Sequence, residues 1–197
     1  MRCLVVVAHP LRESLCHLLA ERAVSALRAG GHEVAVEDLC AGAFPPALTP
    51  AERASYYAGP FDGTAVRNEI DRLRSAEGLV LCFPTWWFGF PATLKGWFDR
   101  VWAPGVAYDH ADDLGAIRPR LTGLRQALAV TSLGSPWWVD RLVLRQPVKR
   151  VLKTALLGTC APNCRLEMLS QYRAERLDGR RVEAFARRVE RTLAGWR

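Results

Sequence analysis

Three stretches of the chain are almost purely apolar. Cys3-Leu-Val-Val-Val-Ala8, Gly78-Leu-Val-Leu-Cys-Phe83 and Gln126-Ala-Leu-Ala-Val-Thr131 lack the polar alternation of a half-wet strand, so each predicts a strand covered on both faces. Glu33-Val-Ala-Val-Glu37 alternates and predicts an edge strand, and Arg165-Leu-Glu-Met-Leu169 predicts a short fifth strand. Helical spacing fills the intervals. From Ser14 to Arg28 the apolar positions Leu15, Leu18, Leu19, Ala23, Val24 and Leu27 recur on one face, and Gly30-Gly31 closes the segment. Further helices are predicted from Val66 to Ala76, from Pro91 to about Val101, from Val139 to Leu157 and from Gly179 to Trp196. Cys40 to Gly63 is rich in Pro, Gly and Ala, with a short helical piece near Pro50 to Tyr57, and Trp102 to Thr122 reads as a loop.

Strand and helix thus alternate along the chain without a repeat or a low-complexity linker, which implies an α/β fold with a parallel sheet and helices on both faces. Five strands favour the doubly wound order 2-1-3-4-5, with a ligand crevice at the carboxyl ends of the strands where the order reverses. In that topology the loops beginning at His9, Pro84 and Thr131 meet along one rim. One domain spanning residues 1–197 is expected.

Composition narrows the class. The chain has 197 residues, 50% hydrophobic and 24% charged, with a net charge of +7, an ordinary soluble composition rather than a disordered one. The arginines are spread along helices and gather between Arg173 and Arg197, with no basic stripe or nucleic-acid module, so nucleic acid is not an expected partner. No apolar run approaches the ~20 residues of a membrane span, no leader pattern opens the chain, and a cytoplasmic protein without a membrane partner is expected. The six cysteines are scattered; Cys3 and Cys82 lie in apolar runs, and Cys160-x3-Cys164 has no second ligand pair to complete a zinc site. Reduced thiols and no metal are expected.

The chemistry is concentrated in the three loops. His9-Pro-Leu-Arg-Glu-Ser14 leads into a helix whose positive end suits a phosphate; Ser14 is either a ligand to that phosphate or simply an N-cap, and His9 either a donor or a satisfied turn histidine. Pro84-Thr-Trp-Trp-Phe-Gly-Phe-Pro91 displays adjacent aromatic rings between two prolines, which suits a flat heterocycle, and its amides at Trp87, Phe88 and Gly89 can face the polar edge of a flavin ring. Thr131-Ser-Leu-Gly134 is a second small-residue turn, and Trp137 and Trp138 either roof the substrate or pack an ordinary loop. Trp97 and Phe98 read as core, and Lys95 and Arg100 as surface or interface charges. Neither Gly-x-Gly-x-x-Gly nor a Walker A sequence is present, which disfavours a dinucleotide-binding Rossmann domain and a P-loop NTPase.

The His-Pro-x-x-x-Ser turn, the block Pro84-x-Trp-Trp-x-Gly-x-Pro-Ala-x-Leu-Lys-Gly-Trp-x-Asp-Arg-Val101 and the Thr-Ser-x-Gly turn resemble the flavodoxin-like NAD(P)H:quinone oxidoreductases of the DT-diaphorase type over nearly the whole chain. The resemblance implies a flavodoxin-like fold, FAD or else FMN as cofactor, NAD(P)H as co-substrate, a small aromatic acceptor, ping-pong hydride transfer and a homodimer. It places His9, Ser14 and Leu15 at the phosphates, Pro84, Thr85, Trp86, Trp87, Phe88 and Gly89 along the ring, and Thr131, Ser132 and Gly134 at its other edge. Trp87, Tyr108 and Trp138 become the candidate catalytic contacts, with Tyr108 in the pocket of the neighbouring subunit. Two departures stand out: Ser135-Pro-Trp-Trp-Val-Asp140 replaces the Tyr and His that handle charge in better-known members, and Leu15-Cys16 replaces a frequent Phe-Asn. A one-electron carrier of flavodoxin type is disfavoured by the positive charge, and an ancillary subunit of a potassium-efflux system would be distinguished by binding to the transporter.

Overall fold

The computed structural model describes residues 1–111 and 117–197. In chain order its elements are β1 (Arg2–Val7), α1 (Leu15–Ala29), β2 (Glu33–Asp38), α2 (Pro50–Ser55), α3 (Arg67–Ser75), β3 (Gly78–Pro84), α4 (Ala92–Val101), β4 (Tyr108–Asp109), β5 (Arg118–Pro119), β6 (Gln126–Leu133), α5 (Pro147–Arg150), α6 (Gly158–Cys160), β7 (Arg165–Tyr172) and α7 (Gly179–Ala194). The main sheet runs β2-β1-β3-β6-β7 with every pairing parallel, the predicted doubly wound order once the two-residue strands β4 and β5 are set aside. Those two pair antiparallel as a separate ribbon inside the segment read as a loop; residues 112–116 of that segment lie outside the described residues.

Alternation explains the unbroken apolar runs. Leu4, Val6, Leu79, Leu81, Phe83, Ala127 and Ala129 face a core shared with α3 and α4, while Cys3, Val5, Val7, Val80, Cys82, Leu128 and Val130 face a core shared with α1 and α7. Successive side chains of one strand thus enter opposite cores, and neither face is left for polar residues. Arg22 of α1 bridges to Glu183 at 3.0 Å and also to Glu190, fastening α1 to α7.

Two sequence expectations change. The predicted helix from Val139 to Leu157 is not continuous: a wide turn over Val139–Val143 ends at Arg145 and Gln146, both left-handed (φ 57° and 50°), before α5 begins. Pro147 accounts for the interruption, because its ring disfavours right-handed α geometry in the residue before it. Past α5 the turns are again wide through Val151–Leu157. Strand β7 also continues beyond Leu169, pairing Ser170, Gln171 and Tyr172 with Thr131, Ser132 and Leu133; an outer strand with polar positions carries no apolar signal at its end.

Arg100 is neither a surface nor an interface charge. It is 1% exposed, donates to both oxygens of Glu52 (3% exposed) through Nε at 2.9 and 3.1 Å, and donates also to the Pro45 carbonyl. Glu52 meanwhile closes a capping box with Thr49 at the start of α2. The same loop presses on α4 at Gly96, where an added Cβ would lie 2.2 Å from the Pro46 carbonyl oxygen. Gly96→Ala is expected to cost about 1–3 kcal/mol through overpacking, read as a lower midpoint in urea unfolding with an unchanged m-value. Trp97, by contrast, is core as expected, with its Nε1 donating to Glu37 Oε1 at 2.7 Å.

Candidate active site

Parallel pairing of β1, β3 and β6 brings their carboxyl ends side by side. The Ala8 amide donates to the Cys82 carbonyl (3.0 Å) and the Thr85 amide to the Ser132 carbonyl (2.8 Å), so the three loops leave the sheet at one level. Side chains span the gaps between them: the His9 and Trp86 rings lie 6.1 Å apart, and Cys16 Sγ is 4.0 Å from Ser132 Oγ.

In the first loop His9 uses Nδ1 on the Leu11 backbone, 3.1 Å from its amide nitrogen, which leaves Nε2 as its free ring nitrogen. Ser14 is the N-cap of α1 and accepts from the His17 amide. The next amides, Leu15 and Cys16, stand in a first turn that has no intrahelical acceptors. The Leu15 side chain itself packs on the core, so this residue offers the site its backbone. The sequence did not reveal the partners behind Ser14: His17, 7% exposed, places Nδ1 2.9 Å from Ser14 Oγ and Nε2 2.9 Å from Asp38 Oδ2. The spacing of Ser14 and His17 within one helical turn was visible; the contribution of Asp38, from the end of β2, needed the sheet order.

The second loop is the most unusual backbone in the molecule. Trp87 and Phe88 both have positive φ (50° and 56°), and the Gly89 amide closes the turn on the Trp86 carbonyl at 2.9 Å. Left-handed conformations at the two central positions normally call for Gly or Asn, and holding bulky side chains there costs of order 1–3 kcal/mol each. Trp87 is 100% exposed. Among the described residues the Trp87 and Phe88 amides find no acceptor, and Thr85 Oγ1 is buried without a hydrogen-bond partner. Strain, a fully exposed indole and unpaired donors coincide within four residues, Thr85 to Phe88. The surrounding core does not use them.

At the end of β6 the hydroxyl of Thr131 is buried and donates to Ser170 Oγ at 3.2 Å; together with Pro84, also buried, it carries a loop rather than facing the crevice. Ser132 and Gly134 are accessible, and Ser135 Oγ is a second buried hydroxyl without a partner. Trp137 and Trp138 are half exposed. Beside them is a feature the sequence concealed, because it lies past the expected end of β7: the Tyr172 hydroxyl donates to Asp140 Oδ2 at 2.7 Å and accepts from Arg141 Nε at 3.4 Å. Burial and the neighbouring Asp140 push the Tyr172 phenol above its usual range.

Tyr108 is not brought to this rim within one chain. It sits in the β4–β5 ribbon against the His110 ring at 5.3 Å and beside a groove of about 420 Å³ lined by Tyr56, Phe98, Trp102 and Leu156, where Trp102 Nε1 is buried without a partner among the described residues.

Comparison with known proteins agrees with this geometry. A family described as flavodoxin-like fold matches residues 1–194. NAD(P)H dehydrogenase [quinone] 1 of Cavia porcellus is 34% identical over 68% of this chain and 54% of its own length, and that of Rattus norvegicus is 29% identical over 87% and 75%. The chain therefore spans only about half of the first of these relatives. Among solved structures, the NAD(P)H:quinone oxidoreductase from Methanothermobacter marburgensis superposes with a TM-score of 0.82 at 29% identity, covering 98% of this chain and 96% of that one. With a family match that runs almost from end to end, the chain belongs to the flavodoxin-like family that includes the NAD(P)H:quinone oxidoreductases.

Proposed function

We propose that the chain is a single flavin-binding unit and a flavin-dependent NAD(P)H oxidoreductase that reduces a quinone or a similar small aromatic acceptor by a ping-pong mechanism. One observation carries this most: three loops converge at the carboxyl ends of β1, β3 and β6, and they hold donors that the protein leaves unpaired. Among the described residues Thr85 Oγ1 and Ser135 Oγ are buried without partners, and the Trp87 and Phe88 amides have no acceptor. A planar heterocycle edged with acceptors, carrying a phosphate for the start of α1, fits this donor set.

The bound flavin, FAD in the first instance and FMN in the second, would supply the redox chemistry, taking hydride from a reduced nicotinamide and handing two electrons to the acceptor. The protein's residues orient and enclose. His9, Ser14 and the Leu15 amide would hold the phosphate; Thr85, Trp86, Trp87, Phe88 and Gly89 would line the ring, and Ser132 and Gly134 would meet its far edge. Unpaired amides fixed in a strained turn are preorganised donors, worth most where negative charge develops. Trp138 would cover the reactants, and Tyr172, held by Asp140, stands near the position where the sequence lacks the expected Tyr and His. The half-exposed Tyr108 and the apolar groove beside it, with its unpartnered Trp102 nitrogen, support a homodimer in which Tyr108 closes the partner's site.

Anaerobic titration of the reconstituted protein with NADH and NADPH tests the proposal. Bleaching of the absorbance near ~450 nm by either is expected for this cofactor class, followed by recovery on adding a quinone. A protein that takes up neither FAD nor FMN overturns it.

A further inference from the structure

We propose that His17 is a proton-linked positioning residue: binding of the flavin phosphate at the start of α1 takes up one proton on the His17 imidazole, so affinity for the phosphorylated cofactor falls as pH rises. This inference rests on the flavin proposal above and adds to it a residue and a linkage particular to this chain.

The basis is an accounting of hydrogens. Asp38 accepts from the amides of Cys40 and Ala41 at 3.2 and 3.0 Å and faces His17 Nε2 at 2.9 Å. Burial pushes the Asp38 carboxyl up, but these bonds outweigh it and hold the group below the usual carboxylate range. It is therefore an ionised, acceptor-only partner, and His17 Nε2 must carry a hydrogen. A neutral ring then has a bare lone pair at Nδ1. The only hydrogen able to fill the 2.9 Å contact between Nδ1 and Ser14 Oγ is the serine's own.

Ser14 in that state offers only lone pairs, and phosphate oxygens at this pH offer only lone pairs as well. Two acceptors face each other. A second proton on the ring reverses the bond: Nδ1–H donates to Ser14 Oγ, and the hydroxyl hydrogen is released to point at the anion. The added positive charge also cancels the Asp38 carboxylate directly behind the ring. Because His17 is 7% exposed, water has little access to take over either role.

Among the other charged and titratable groups nearby, His9 is itself placed at the phosphate, so a pH slope that survives in His17→Asn would assign the proton to His9 and overturn the proposal. His9, from the β1–α1 loop, meets His17 edge-on with ring centroids 6.5 Å apart. The Arg12 guanidinium lies 3.9 Å from Asp38 Oδ2, the same oxygen that faces His17 Nε2, and is largely exposed. Burial pushes the neighbouring Cys16 thiol up to about 11, so it stays neutral, while Glu13 and Glu21 are exposed to solvent.

The test measures binding of FAD, FMN and riboflavin to the apoprotein by flavin fluorescence between about pH 5 and pH 8, the range in which an ordinary histidine changes charge. FAD is the cleanest probe, because the phosphate of FMN itself titrates near pH ~6. FAD affinity is expected to fall with rising pH by as much as about tenfold per pH unit, the limit for one linked proton, while riboflavin, which has no phosphate, stays flat. Calorimetry in two buffers of different ionisation enthalpy should report uptake approaching one proton for FAD and none for riboflavin. His17→Asn, which keeps a non-titrating N–H near the Nδ1 position, is expected to bind FAD with a flat profile. A flat FAD profile in the unmodified protein, or an equal slope with riboflavin, overturns the linkage and leaves the flavin proposal standing. Failure of all three flavins to bind removes both.

Discussion

Arg100→Ala should lower the unfolding free energy by about 3–5 kcal/mol, the usual penalty for leaving one member of a buried ion pair without its partner. Glu52 would then keep only its capping contact with Thr49, and the Pro45 carbonyl would lose its donor. Arg100→Lys should recover little, because one ammonium cannot replace a fork that reaches both oxygens of Glu52 and the carbonyl. Replacing Arg100 and Glu52 together by leucine should cost clearly less than Arg100→Ala alone, since no charge is then stranded. Urea unfolding of the single and double variants measures all three. A cost below about 1 kcal/mol for Arg100→Ala would show that the pair does not anchor the 45–52 loop to α4. The anchor matters for the site, because the loop carrying Trp86 to Phe88 leads into α4, and α4 is held in place by this pair and by the Gly96 approach.

The second large effect concerns the strained turn, where one substitution should move stability and binding in opposite directions. Trp87→Gly places in the left-handed position a residue that adopts it freely, and should raise the stability of the flavin-free protein by about 1 kcal/mol. The fully exposed indole contributes no packing that would be lost. Removing an aromatic wall is worth roughly 1–3 kcal/mol of stacking on a flat heterocycle, so flavin affinity should fall about 5- to 150-fold. Thermal unfolding with and without FAD, together with fluorescence titration, reads both quantities. If stability and affinity fell together, Trp87 would be a structural residue and the strain would need another explanation.

Much of this was legible in the chain. The apolar runs opening at Cys3, Gly78 and Gln126 announced central strands, and with them the rim shared by their three loops, because parallel strands of a doubly wound sheet all end on the same edge. Contacts that join residues distant in sequence were not legible. Arg100 looked like a surface charge since its partner Glu52 lies in a stretch whose composition reads as loop, and Asp38 looked like the end of an edge strand until the sheet set it behind His17. Thr131 misled for a different reason: residue type suggested a ligand contact, but its position in the ladder turned the hydroxyl inward to Ser170. Pro147 did signal the broken helix, through its effect on Gln146, although the apolar spacing on either side masked it.

That break bears on how the protein can diversify. Between Trp137 and Leu144 the chain buries little, with Leu142 and Val143 more than 60% exposed, and the left-handed pair at Arg145 and Gln146 separates this stretch from the anchored α5. Substitutions at its exposed positions, Leu142 and Val143, should come at little cost to the cores on either side of the sheet. Under the proposed function, substitutions at Leu142 and Val143 should therefore shift the choice of acceptor while leaving flavin affinity unchanged.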